Sequence, residues 1–325
     1  MGGGWRPAAT LPHLAARARL LARIRAFFDR AGVMEVETPV CSAGAATDPA
    51  LESLETRYRG PDAPPGGRLF LQTSPELPMK RLLAAGSGPI YQICRVFRGG
   101  ERGQRHNPEF TLLEWYRPGV DHHRLMDEVE ALVRAVSDRP WTLRRLSYAA
   151  LFQEHLGVDP HRATAPELAR LAERGGVPGI GSLELDGRDA WLDLLLTHCI
   201  EPRLAGEGMV FVHDYPASQA ALARLRPGDP PVAERFELYL DGVELANGFH
   251  ELADAAEQRR RFEGDLARRR SRGLSRVPVD ERFLQALEAG LPDCAGVALG
   301  VDRLLMALTG ARSIDEVLAF PVDRA

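Results

Sequence analysis

Three groups of residues have the types and spacing for chemistry on a phosphate. The first is Phe97-Arg98-Gly99-Gly100-Glu101-Arg102-Gly103-Gln104-Arg105-His106-Asn107-Pro108-Glu109-Phe110, a cationic, glycine-bearing segment between two β-rich runs. Arg98 stands at its entry, where a rigid strand can hold a guanidinium against a phosphate or carboxylate. On composition alone the same segment reads as a solvated hairpin tip. The second group is Glu237, Glu244 and Glu251, each seven residues apart. Glu237 and Glu244 flank an Asp241-Gly242 turn, so they stand on neighbouring strands and can converge, an arrangement suited to Mg²⁺ and its substrate phosphates. The third is Gly296-Val297-Ala298-Leu299-Gly300-Val301-Asp302-Arg303. Its small residues admit a ligand to the backbone, and an arginine in the first turn of a helix opposes the dipole and calls for an anion. Together they describe a nucleotide–Mg²⁺ site outside the P-loop and dinucleotide-binding patterns, neither of which is present.

The elements that must position these groups follow from periodicity. Apolar residues at helical spacing from Leu14 to Ala31 predict a helix stopped by Gly32, and residues 33–37 alternate as a strand. Residues 60–67 form a loop, 68–71 a short strand, and a helix is expected from Leu77 or Met79 to Ala85. Ile90 to Arg98 and Glu109 to Tyr116 are strands joined by a connection longer than the usual ~2–5 residues of a hairpin, which marks it as functional. Residues 121 to about 204 read as mostly helical, with a break at 175–179. Residues 236–245 form a tight hairpin, about 253–272 a charged helix, and 296–300 a strand running into a helix over 301–309. Strands spread along the chain around a helical insertion predict a single α+β domain on an antiparallel sheet.

Composition bounds the reading. The 325 residues are 45% hydrophobic and 26% charged, which excludes disorder and small disulfide scaffolds. A net charge of -4 excludes a general basic field for nucleic acid. Of 41 basic residues a single one, Lys80, is lysine, for which a GC-rich genome is the leading explanation. Cys41, Cys94, Cys199 and Cys294 lie far apart, as expected for core thiols of a reduced, cytoplasmic protein. No secretory leader or membrane span is expected, and Arg6 spoils the acylation motif that Gly2 would open.

These residues resemble the class II aminoacyl-tRNA synthetases. Leu14 to Pro39 is similar to their motif 1, Phe97 to Phe110 with Glu114-Trp115-Tyr116 to motif 2, and Gly300-Val301-Asp302-Arg303 to motif 3. Thr73-Ser74-Pro75-Glu76 and Glu244-Leu245-Ala246-Asn247-Gly248-Phe249-His250-Glu251-Leu252 point to the lysyl branch. About thirteen residues precede motif 1, too few for an anticodon-binding domain. The likeness is therefore to the truncated lysyl paralogues that act on translation elongation factor P, as do residues 216–220, 232–237 and 322–325. The resemblance covers about Leu14 to Ala325 and implies the class II catalytic fold, a homodimer through motif 1, ATP with Mg²⁺, (R)-β-lysine as amino acid, elongation factor P as acceptor, and no tRNA or membrane partner.

It also implies residue roles. Arg98 would bind the amino-acid carboxylate and the α-phosphate, with Gly99 and Gly100 bordering ATP. His106 and Asn107 would hold phosphates and the adenine end, with Phe110 stacked under the base. Glu237 and Glu244 would hold Mg²⁺, the backbone near Leu245 and Gly300 would line ATP, and Arg303 would reach the γ-phosphate. Ser74, Pro75 and Glu76 would line the amino-acid pocket. Tyr116 and Glu251 would meet the ε-ammonium with support from Glu114 and Asn247, and Ala298, where the lysyl enzymes carry glycine, would favour a β-amino acid. Arg102, Arg105 and Arg259-Arg260-Arg261 are candidates for a basic docking rim, the last run reading better as a solvated helix face. Gly100 stands where the family has a carboxylate, Leu77-Pro78 where it has an aromatic and a histidine, and Arg105 where it has tyrosine. These departures keep open a weak synthetase-like regulator and a minimal lysine-activating synthetase.

Overall fold

The computed structural model describes residues 5–180, 185 and 187–325. Gly2, on which the acylation reading falls, lies outside the described residues. The chain divides into two compact units, one made of the residues up to Val120 together with Leu252–Ala325, the other of Asp121–Glu251.

The first unit carries an array in the order Met34–Glu35, Ile90–Phe97, Glu109–Pro118, Cys294–Gly300. The first pair is parallel and the others antiparallel. The expected strand over 33–37 shrinks to two residues, because only Met34 and Glu35 find partners, at Ile90 and Tyr91. The helix Leu11–Arg30 starts three residues earlier than expected. Thr10 caps it by accepting from the His13 amide at 3.3 Å, Pro12 sits in its first turn, and Gly32 ends it at φ 64°. Its Leu20, Ile24 and Phe28 recur at four-residue spacing on a buried stripe. Burial of each is worth ~1.5–3 kcal/mol. Phe28 stacks on Tyr91 at 4.4 Å and meets the edge of Trp115. Further helices are Glu76–Ala84, Ala255–Ser271, Glu281–Gly290 and Val301–Thr309, of which Glu281–Gly290 was not expected. A small sheet joins Cys41–Ser42, Arg68–Leu71 and Glu55–Arg57.

The second unit carries Val243–His250, Val232–Leu240, Met209–Pro216 and Leu143–Ser147 in that order. The hairpin at Asp241-Gly242 is the expected one, with longer arms. Helices His122–Val136, Tyr148–Leu156, Ala165–Arg174 and Gly187–Leu195 fill much of the stretch expected to be mostly helical, with the expected break after Arg174; the stretch also holds the strand Leu143–Ser147, which was not expected. Their core gathers Tyr148, Phe152, Leu168, Leu192, Ile200, Val212, Tyr215 and Tyr239. The four cysteines are unpaired, two of them buried.

Candidate active site

In the first unit the array supplies a floor and the helix Glu76–Ala84 a wall. Register places Glu114 between Gln92 and Ala298, and Tyr116 opposite Gly296, so these positions share one face. Glu114 and Tyr116 are both 2% exposed, and the Tyr116 hydroxyl donates to Glu114 Oε1 at 2.7 Å. Burial pushes the Glu114 carboxyl up to about 8, with the nearby Glu76 charge adding to it. Ser74 accepts from the Glu76 amide at 3.0 Å, and buried Pro75 starts the helix. Lys80, one turn on, is buried and donates to Glu76 Oε1 at 2.6 Å. Two carboxyl groups, one buried cation and one phenol thus converge beside the small strand positions Gly296 and Ala298. This arrangement suits a cationic amino acid.

The loop between the two central strands leads away from that floor. Arg98 lies over the Phe110 ring at 5.1 Å, with Nε 3.5 Å from the Thr73 carbonyl and Nη1 4.0 Å from Glu101. The Gly99-Gly100 departure has a local cause. The Gly99 amide donates to the Glu52 carbonyl at 2.8 Å, and a Cβ at Gly99 would lie 2.9 Å from the Glu52 carboxyl carbon. Gly100 takes φ 73°, a region that favours glycine. The Glu52 carboxylate thus lies beside the glycines that replace the expected acid.

Arg303 and His106 meet directly. Arg303 Nη2 lies 2.8 Å from His106 Nε2, and burial with the Arg303 charge lowers the histidine pKa. Gly300 is the residue before the helix that carries Arg303. Asp302, in the same turn, is 1% exposed, pairs with Arg17 and accepts from the Thr111 amide at 2.6 Å. That clamp fixes the helix against both the strand Glu109–Pro118 and the helix Leu11–Arg30. Asn107 is buried, donates to the Glu109 carbonyl at 2.7 Å and accepts from the Val322 amide at 3.1 Å. It ties the loop to the C-terminal segment.

In the second unit, Glu237 is 6% exposed and saturated. Tyr215 and Tyr239 donate to Oε2, each at 2.6 Å, and Arg235 and Asn247 (3.3 Å) donate to Oε1. Tyr239 pairs with Glu244 next to the turn, and a bulge after Leu238 shifts the register so that Asn247 lies opposite Glu237. Hard oxygen donors suit Mg²⁺, and half-buried Glu244 fits it; Glu237 does not in this arrangement, since a metal would have to displace Arg235 or Asn247. Leu245 is buried, as is Glu251, while Asn247 Oδ1 is buried and receives no hydrogen bond among the described residues. The residues that sequence reasoning missed, Glu52, Tyr215, Tyr239 and Arg235, carry no local signal. Each acts through a partner in another segment or on a strand face that composition does not reveal.

The basic rim is less charged than its sequence. Arg102 pairs with Asp315 and Asp323, Arg259 with Glu281, and Arg260 and Arg261 with Glu257.

The profile of the tRNA synthetases class II (D, K and N) matches residues 5–324. The chain belongs to this family. The class II fold expected from the motifs is therefore the fold present, with helices packed on mostly antiparallel strands. Among its relatives are proteins named elongation factor P–(R)-β-lysine ligase from Salmonella paratyphi B (strain ATCC BAA-1250 / SPB7), Klebsiella pneumoniae (strain 342) and Salmonella enteritidis PT4 (strain P125109). Each is 52% identical over 322 residues, covering 99% of this chain and 98% of the relative. No helix among the described residues is long and apolar enough to cross a membrane.

Proposed function

We propose that this class II synthetase-like chain is an ATP-dependent ligase. It activates (R)-β-lysine as an adenylate and transfers it to the ε-amine of a lysine of translation elongation factor P. The observation that carries the reading is the Glu76–Lys80–Glu114–Tyr116 group, buried except for half-buried Glu76, on the floor beside Ala298 and in the same unit as Arg98 and Arg303. The full-length likeness to the named ligases supports the choice of amino acid and acceptor.

In the first step an amino-acid carboxylate oxygen attacks the α-phosphorus of ATP. An O–P bond forms, and the bond to pyrophosphate breaks. Arg98, stiffened by its strand and stacked over Phe110, stabilises the charge that builds on the α-phosphate. Arg303, steadied by His106, is the cation for the outer phosphates, and Gly99 and Gly100 let the backbone approach the nucleotide. Glu76, Glu114 and Tyr116 bind the ammonium groups of the amino acid, with Ser74 and Pro75 shaping the wall. In the second step the acceptor amine attacks the acyl carbon, an amide forms and AMP leaves. No protein nucleophile takes part, so positioning supplies much of the rate. Magnesium, held at Glu244, would neutralise phosphate charge. By the family likeness, Asn247 and Glu251 would also contact the amino acid, and Asn247 Oδ1 receives no hydrogen bond among the described residues. The chain acts as a cytoplasmic homodimer built through the helix Leu11–Arg30, with no role for tRNA.

ATP–pyrophosphate exchange tests the reading. Exchange stimulated more by (R)-β-lysine than by α-lysine is expected. Exchange with α-lysine alone, together with charging of tRNA, would instead assign a minimal lysine-activating synthetase.

A further inference from the structure

The second unit holds a group of side chains that the ligase reaction leaves unused. His122 opens the helix His122–Val136, His250 closes the strand Val243–His250, and Glu234 lies on the neighbouring strand Val232–Leu240. The pairing of Arg235 with Phe249 sets Glu234 and His250 side by side. One ligand atom from each of the three side chains lies within 4.8 Å of the other two. Glu234 Oε2 is 3.0 Å from His250 Nδ1.

The burial of His122 is the informative fact. The residue is 2% exposed, and neither ring nitrogen has a hydrogen-bond partner among the described residues. Leaving such a group unsatisfied is costly, and a bound cation would offset that cost. A cation already stands against the other two ligands. Arg224 Nε donates to Glu234 Oε2 at 2.6 Å, and its Nη2 lies 2.9 Å from His250 Nδ1. Its side chain is 42% exposed, so the guanidinium can swing into water without unpacking the core. His123, His213, Asp214 and Arg226 form the polar surround, with the His122 and His123 rings 4.1 Å apart and Asp214 held by Arg226 at 2.8 Å.

We propose that His122, Glu234 and His250 form a binding site for a divalent transition-metal ion of the zinc type, for which the Arg224 guanidinium is the competing cation. Two imidazoles and one carboxylate are a donor set for Zn²⁺ with a fourth position open to water. Zinc–ligand bonds of ~2.0–2.2 Å require the three donor atoms to close by roughly an ångström, which rotation of the His122 ring and departure of Arg224 allow. The position is separate from Glu237 and Glu244 in role: it uses nitrogen donors, whereas a nucleotide-bound Mg²⁺ needs oxygen. The ion would pin the first turn of the helix His122–Val136 to the strand that carries Asn247 and ends next to Glu251.

The test uses the full chain without a histidine tag, freed of metal with a chelator and titrated with Zn²⁺ against a chromophoric competitor. One equivalent per chain is expected, with a rise in Tm. His122→Ala, which removes a side chain without hydrogen-bond partners and should fold, is expected to weaken binding at least tenfold. Arg224→Ala is expected to tighten it. With Co²⁺ in place of Zn²⁺, the intense visible bands of a four-coordinate nitrogen–oxygen site should appear and vanish in His122→Ala. No stoichiometric binding, or binding equally tight in His122→Ala, would overturn the proposal. Weaker binding in Arg224→Ala would also overturn it, assigning Glu234 and His250 to the arginine alone.

Discussion

Lys80 Nζ donates to the Glu76 carboxylate at 2.6 Å, and this buried amine is the single lysine of the chain. A lysine-reactive adenylate made beside Glu76 therefore has one lysine amine of its own protein within reach, and that amine is engaged as an ammonium. Removing Lys80 leaves Glu76 facing the nearly buried Glu114. Lys80→Ala is expected to cost ~3–5 kcal/mol of stability, as for other broken buried ion pairs. Denaturant unfolding checks it; a loss under 1 kcal/mol would contradict the pairing.

The acid of the same pocket sets a pH dependence. Burial and the neighbouring Glu76 charge push the Glu114 carboxyl up to about 8 from its ordinary 4.5. The folded state therefore binds the extra proton between those limits. Its contribution to stability is complete below about pH 4.5, is lost as pH rises towards about 8, and is flat above. Relative to Glu114→Gln, the wild type should lose on the order of a few kcal/mol of unfolding free energy across that window. Parallel pH profiles of the two proteins would refute it.

Arg98 and Arg303 are assigned to phosphate charge. Arg98→Ala should lower adenylate formation ~10²–10³-fold, the scale for losing a donor to developing charge. Arg98→Lys should recover little, because a point charge cannot reproduce the planar fork stacked over Phe110. Pyrophosphate exchange with saturating amino acid reads both. Arg303→Ala is expected to act chiefly through the KM for ATP, with a parallel rise in the His106 pKa measured by NMR as the neighbouring positive charge disappears.

Ala298 faces Glu114 in register, so under the proposed function its methyl group would trim the floor of the amino-acid pocket. Ala298→Gly should shift the ratio of kcat/KM for (R)-β-lysine over α-lysine by ~10-fold towards α-lysine, the usual worth of one buried carbon in a specificity pocket. An unchanged ratio would place discrimination elsewhere.

Much of this was legible in the sequence because it is local. Residues 301–309 form the expected helix, and the hairpin at Asp241-Gly242 follows from its turn dipeptide. Leu143–Ser147 was hidden because it is a partly exposed edge strand paired with only one neighbour, Met209–Pro216, and so lacks clean alternation. Met209–Pro216 itself begins with a buried apolar run, which periodicity does not separate from helix. In the site, Arg98, Arg303, Glu76 and Tyr116 were readable as motif residues. The tie from Asn107 to Val322 was not legible, because the two residues lie 215 positions apart. The saturation of Glu237 depends on Tyr215 and on a register shift, which spacing alone cannot report.

The most direct measurement is mass spectrometry of elongation factor P after incubation with this protein, ATP and (R)-β-lysine. The account predicts a gain of one β-lysyl group on one lysine of the factor, absent with Arg98→Ala and weaker with α-lysine. An unmodified factor, in a reaction where the same preparation attaches lysine to tRNA, would contradict it.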